Sequence, residues 1–371
     1  MPGGIHPPLE VIASWPKANT TNPESRGSLS IILAGVFGGL ALVAVGVRFW
    51  ARCVIQRRAG WDDLFAALSA GPIVGLMVVF VLSSEVYGGK LHTWDNTLPN
   101  LIGQRKMAFI MEILYVIGSG LLRVSVLLFY RRMGFREVSR CFVIATWICI
   151  ATIIGYSLAF FAVIFGSCQP LHAYWDQVNP VWAASHPWKC YNEPIHILVA
   201  TSVALVQDVV VTTLPAILCW KLEISLREKI ALGSIFFVGY LTAVISAVRQ
   251  YFVVKTYYLS YDTTWVTWYC WMMGMLELLI ALTCSSLPAA RVFFHRYRVS
   301  IGFVGSIKSV FTKSTTQQST SVRRSTQATL STVNLTQPDN SKDPMNLTSA
   351  SVEEGVRIEL DQMGKAYRVP M

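Results

Sequence analysis

Five ionisable residues stand in stretches that are otherwise apolar: Glu112, Arg123, Asp208, Arg249 and Glu277. A charged group at membrane depth is expensive, so each marks either an internal pair that sets helix registry or a polar cavity that binds a ligand or relays a proton. At a rise of about 1.5 Å per residue, Glu112 lies about 7 Å and Arg123 about 24 Å from one membrane face, with Asp208 and Glu277 about 18–20 Å from it. Arg249 lies near that same face. Depth therefore permits Glu112 to pair with Arg249, and Arg123 with Asp208 or Glu277. Glu112 and Arg123 are eleven residues apart, close to three helical turns, and share one helix face.

Asp62 and Asp63 precede another apolar run. Such carboxylates accept from free N–H groups at a helix start and suit its dipole, and Arg57 and Arg58 are close enough in sequence to pair with them. The pair is read as a helix cap or a cytoplasmic polar site. A metal–diphosphate site would need a further acidic residue a turn away, where Leu64, Phe65, Ala66 and Ala67 stand instead. There is no HExxH, no paired-cysteine zinc spacing and no recognisable catalytic set. No catalytic residue, metal or cofactor is therefore expected, and the chain leans away from an enzyme.

The elements that carry these residues follow from composition. The chain has 371 residues, 53% hydrophobic and 14% charged, where a soluble domain carries about 25% charge. Seven stretches are long and apolar enough to span a bilayer: 28–50, 63–84, 107–130, 141–166, 195–220, 230–253 and 265–288. None alternates like a barrel strand, and helices satisfy the backbone in lipid. The expected fold is an all-α membrane protein, a bundle of seven transmembrane helices. Residues 1–27 form a short N-terminal segment, 28–300 the membrane domain and 301–371 a tail.

Of the basic residues in and near the loops, sixteen collect on one side and seven on the other. The basic side is cytoplasmic by the positive-inside rule, which puts the N-terminus outside and the C-terminus inside. No signal-peptide core precedes the first span. The membrane is the plasma membrane or an internal membrane of the secretory pathway. The net charge of +10 then faces anionic lipid, and no nucleic-acid partner is expected. Cys168 and Cys190 are the two cysteines in an outer loop, 22 positions apart, and are expected to form a disulfide that pins Trp175, Trp182 and Trp188 over the bundle mouth. Asn19-Thr20-Thr21 is an outer glycan acceptor, whereas Asn334 and Asn346 fall in the tail and should be inert. Residues 311–350 hold 16 Ser and Thr, a composition expected to be disordered, and Arg323-Arg324-Ser325-Thr326 has the form of a basophilic kinase site. Aromatic residues crowd the outer ends of the last two spans, from Tyr257 to Trp271, as an interfacial belt or a ligand vestibule. Gly35-xxx-Gly39 and Gly71-xxx-Gly75 suggest close helix packing.

Several segments together resemble a known family. They are Arg48-Phe-Trp-Ala-Arg52, Gly60-Trp-Asp-Asp63, Ser125-Val-Leu-Leu-Phe-Tyr-Arg-Arg132, Cys168-Gln-Pro170 with Trp175 and Cys190, Asp208 with Pro215, Arg227-Glu-Lys-Ile230, Arg249, Glu277 and Cys284-Ser-Ser-Leu-Pro288. In this order, over about residues 28–300, they resemble the fungal rhodopsin-like integral membrane proteins. That family includes receptor-like proteins of the Pth11 type and the membrane protein of the satratoxin cluster. Arg123 departs from the lysine usual in that stretch. The resemblance implies a sensory, receptor-like role with a small-molecule ligand in the bundle and a cytoplasmic signalling partner. It equally admits an accessory role, transport or a membrane-bound step, in a secondary-metabolite (mycotoxin) gene cluster. Retinal is not expected, because the seventh span has no lysine for a Schiff base.

Overall fold

The structure is a computed structural model that describes residues 7–19, 21–132, 140–220 and 226–297. The tail, with its kinase-type site and the Asn334 and Asn346 sequons, lies outside the described residues. Seven long apolar helices are present. They are α1 (Leu29–Phe49), α2 (Trp61–Glu85), α3 (Leu98–Arg132), α4 (Arg140–Phe165), α5 (Glu193–Trp220), α6 (Leu226–Val254) and α7 (Thr263–Tyr297). Two end in π-helical turns, α1 in Trp50–Ile55 and α6 in Lys255–Leu259. Helices α3 and α7 run beyond the stretches expected from hydropathy. Hydropathy reports where lipid ends, whereas the backbone ladder continues into the polar interface.

The bundle is apolar outside and mixed inside. On α1, Ile32, Val36 and Val43 face outward, while Ser30, Ala34, Gly38, Ala41, Val45 and Arg48 form the buried stripe. Small residues on such a stripe let helices approach where lipid removes any hydrophobic drive to associate. A Cβ on Gly38 would sit 2.3 Å from the Met77 sulfur, and one on Gly120 would sit 2.6 Å from the Ser157 hydroxyl. These two close the α1–α2 and α3–α4 approaches. Of the glycine pairs expected from spacing, Gly75 does face a neighbour, with its Cβ position 3.3 Å from Leu114 of α3, whereas Gly35, Gly39 and Gly71 would meet nothing within 4 Å, because those three point away from neighbouring helices.

Helices α3 and α7 are central. Of the apolar window in each helix, 61% is buried in α3 and 50% in α7, against 17% in α4. A buried helix has no lipid to face, and this is where polar side chains are tolerated. The main core joins α1, α2, α3 and α7 through Leu76, Phe80, Met111, Leu122, Met275 and Leu279.

The α4–α5 connection is organised by the Cys168–Cys190 disulfide. The two cysteines also face each other in an antiparallel ladder, β1 (Cys168–Gln169) with β2 (Lys189–Cys190). Between them lie two short helices, Ala173–Asp176 and Pro180–Ser185, the second capped by Asn179 accepting from the Val181 and Trp182 N–H groups. Phe109 and Val116 of α3 pack against Tyr174, with Trp175, Trp182 and Trp188 around them. Alkylation of the unfolded chain should leave Cys168 and Cys190 unlabelled until a reductant is added. The exposed Cys53 and Cys141 should label without it, with mass spectrometry of the peptides as readout.

Candidate functional site

Three charged groups lie along the bundle, the first at the end away from the disulfide. Gly60 starts α2, and its N–H donates to Asp63 Oδ2 at 3.1 Å. The expected cap is therefore present, but the cationic partners differ. Arg48 Nε donates to Asp63 at 3.0 Å and its Nη2 to Asp62 at 3.2 Å, with Arg48 and both aspartates about 1–2% exposed. Arg132 Nη1 bonds Asp62 at 2.9 Å and Asp63 at 3.2 Å, and Arg52 lies 3.7 Å from Asp63. Arg58 contributes its carbonyl to Arg132, and Arg57 lies exposed with φ 49°. The neighbours in sequence are on the turn, whereas the helical arginines face inward. Arg48 also donates to the Ser285 carbonyl at 2.5 Å, and Ser125 donates to the Asp62 carbonyl. The group thus ties α1, α2, α3 and α7 together.

The middle group contains four of the five residues singled out by depth. Arg123 Nε donates to Asp208 Oδ1 at 2.8 Å and lies 3.8 Å from Glu277. Arg249 Nε donates to Glu277 Oε2 at 3.1 Å and its Nη2 donates to the Tyr115 hydroxyl at 2.6 Å. That hydroxyl donates in turn to Glu277 Oε1 at 2.6 Å. Tyr115, Arg249 and Glu277 form a closed ring across α3, α6 and α7. Two cations meet two carboxylates, so the group is neutral without any added ion.

Glu112 stands apart. It does not meet Arg249, since its carboxylate bonds His196 Nε2 of α5 at 3.0 Å. Depth is shared by every residue on a ring around the axis, and the direction of the side chain decides the partner. Beside this pair, Arg105 makes a two-pronged bond to Glu193, 2.7 Å on each arm. Burial, with the Glu193 carboxylate next to it, pushes the Tyr174 hydroxyl well above its usual pKa. Tyr174 therefore stays a donor, and it reaches Glu193 at 3.4 Å. His196 and Glu193 were readable as ionisable groups at the head of the fifth apolar run, and Tyr115 as the polar residue one turn from Glu112.

A cavity of about 80 Å³ lies between α3, α5, α6 and α7. Arg123, Asp208 and Glu277 form its charged wall, Ser119, Thr212 and Thr242 add hydroxyls, and Leu122, Val126, Val211 and Leu278 are apolar. Glu112 and Arg249 do not line it. It extends past Phe129, Ser285 and Pro288, toward the arginine-rich end rather than the disulfide loop. Asp208 Oδ2 is buried with no hydrogen-bond partner.

Asn19 is exposed, with its amide nitrogen donating to the Asn22 carbonyl at 2.7 Å and its carbonyl oxygen accepting from the Thr21 hydroxyl at 3.1 Å.

Seven apolar helices around an ion-paired interior, with a disulfide-tied loop at one end, define a multi-pass integral membrane protein. The chain belongs to the Fungal rhodopsin domain family, which matches residues 47–296. It is 25% identical to the SAT4 family membrane protein of Emericella nidulans, over 85% of this chain and 75% of that one. It is 26% identical to Receptor GIN3 of Arthrobotrys oligospora, over 75% of this chain and 65% of that protein's length, just under two thirds. It is 21% identical to Fugralins biosynthesis cluster protein 2 of Gibberella zeae, over 64% of this chain and 58% of that one. No solved structure matches.

Proposed function

We propose that this chain is a receptor-like membrane protein with its N-terminus outside. Occupancy of the cavity by a small molecule is coupled to movement of α5 and α6 against α3 and α7, and that movement is passed to a cytoplasmic partner. The observation that carries this reading is the Arg123–Asp208 bond beside the cavity, with Asp208 Oδ2 left as an unused acceptor. An acceptor there suits a ligand with a hydroxyl or amine on an apolar body. Sites for drug-sized ligands are roughly 300–1,000 Å³, so about 80 Å³ admits a few waters in the described state. A larger ligand enters when α5 and α6 draw back, and it then competes with Arg123 for Asp208. The similarity to Receptor GIN3 supports the same reading, and α7 carries no lysine to hold retinal.

A second reading is an accessory role in a secondary-metabolite cluster, favoured by the name of the Gibberella zeae relative. One strain set separates the two. With Asp208→Asn at the native locus and protein level held, the receptor reading expects the strain to lose its response to surface and chemical cues, as a deletion does. Its metabolite profile should stay that of wild type. An altered profile with an intact response would instead select the accessory role.

A further inference from the structure

The N-terminal segment carries a feature that goes beyond the cavity and does not depend on it. Arg26 leans over the first turns of α7, with its guanidinium carbon 3.7 Å from the Trp265 ring, 3.9 Å from Tyr269 and 4.6 Å from Trp268. Its Nη2 donates to the Trp265 carbonyl at 2.9 Å. We propose that Trp265, Trp268 and Tyr269 form a binding site for a guanidinium or alkylammonium group, and that Arg26 is its tethered occupant.

The chemistry is that of cation recognition by aromatic faces, which favours soft, weakly hydrated cations over compact metal ions. The walls are held by contacts that do not involve Arg26. Trp268 is 3% exposed and its Nε1 donates to the Ser84 hydroxyl at 3.0 Å. Tyr269 stacks on Phe252 at 4.8 Å, and Trp265 stacks on His92 at 4.0 Å. His92 is in turn bonded to Asp262 at 2.5 Å. A cage fixed in this way keeps its shape when empty, so an incoming cation meets a preorganised site.

The occupant, by contrast, is held without a counter-charge. Among the described residues no carboxylate pairs with Arg26, and its Nε is buried without a hydrogen-bond partner. The segment itself is fastened by the Ser25–Leu91 bridge, by the Arg26 N–H reaching the Lys90 carbonyl at 3.4 Å, by the Asn19 N–H donating to Asp95 at 2.9 Å and by Glu24 lying 3.7 Å from His92. The next residue, Gly27, turns with φ 59°, a left-handed conformation that lets the chain double back into α1. A cage fixed by its own contacts, around a cation that has no carboxylate partner among the described residues, is the arrangement expected of an exchangeable ligand.

The test uses the full-length protein in lipid nanodiscs and calorimetric titration with L-arginine methyl ester and with tetramethylammonium. Arg26→Ala vacates the cage and is expected to bind both probes at least tenfold more tightly than wild type. Arg26→Ala with Trp265→Ala should lose that gain, whereas Arg26→Ala with Asp208→Asn should keep it. Equal binding by Arg26→Ala and wild type would overturn the proposal, as would a gain that survives removal of Trp265. If Arg26→Ala does not fold, Arg26→Gln removes the charge and keeps the chain length, and the same two outcomes apply.

Discussion

Replacing Arg48 by methionine is expected to destabilise the protein by about 3–5 kcal/mol, the cost of removing one partner from a buried ion pair. Among the described residues Arg48 is the one hydrogen-bond donor to Asp62 Oδ2, at 3.2 Å, and it makes the shorter of two contacts to Asp63 Oδ1, at 3.0 Å. Without it, two carboxylate oxygens that are almost wholly enclosed lose their donor, as does the Ser285 carbonyl of α7. Arg132 cannot substitute, because it already serves the other oxygen of each aspartate. Lysine at position 48 should rescue poorly, since one ammonium cannot reproduce a forked contact to two side chains and a carbonyl. Arg132→Ala should be milder, as that residue is 31% exposed and water replaces part of what is lost. Thermal unfolding of the detergent-solubilised protein checks all three, and a wild-type midpoint for Arg48→Met would refute the assignment.

The ring of Tyr115, Arg249 and Glu277 gives the second large effect, with a sign change built in. Arg249→Met alone should cost about 3–5 kcal/mol, because Glu277 is 2% exposed and retains only the tyrosine hydroxyl and the more distant Arg123. Removing the whole ring at once, as Tyr115→Phe with Arg249→Met and Glu277→Met, takes out one charge of each sign and the hydroxyl between them. Nothing polar from the ring is then left unpaired. The triple variant should recover most of the stability lost by the single one, since a buried ion pair exchanged for apolar groups of similar volume is often neutral or better. A triple variant no more stable than Arg249→Met would show that the ring is not the energetic unit its geometry implies.

Much of this architecture was legible in the chain because it depends on one-dimensional properties. Apolar length defines a span, and two cysteines placed together outside the apolar runs define the Cys168–Cys190 tie. Depth is also one-dimensional, and it left Arg123 between Asp208 and Glu277, which lie 2.8 Å and 3.8 Å from it. Partner choice needs the azimuth of each side chain as well. Glu112 and Arg249 share a depth yet turn to different neighbours, His196 and Glu277. Arg48 and Arg52 read as loop charges because they sit at the end of a span, but the helix continues through a π-helical turn and carries them inward. Arg26 read as an outer-loop charge for the same reason: sequence does not show a segment folding back onto α7. The Gly35–Gly39 pair failed differently, since spacing places both on one face without saying whether a helix covers that face.

The shallow seating of α4 has an evolutionary consequence. Its outward residues, such as Ile144, Ile148 and Leu158, are exposed on the outside of the bundle, where a bilayer asks for hydrophobicity and not for shape. Any one of them can be exchanged for another aliphatic residue with little change in fitness. Over long divergence α4 should therefore drift faster than α3 and α7, and aligned relatives should agree there on where the helix runs while disagreeing on nearly every letter that spells it.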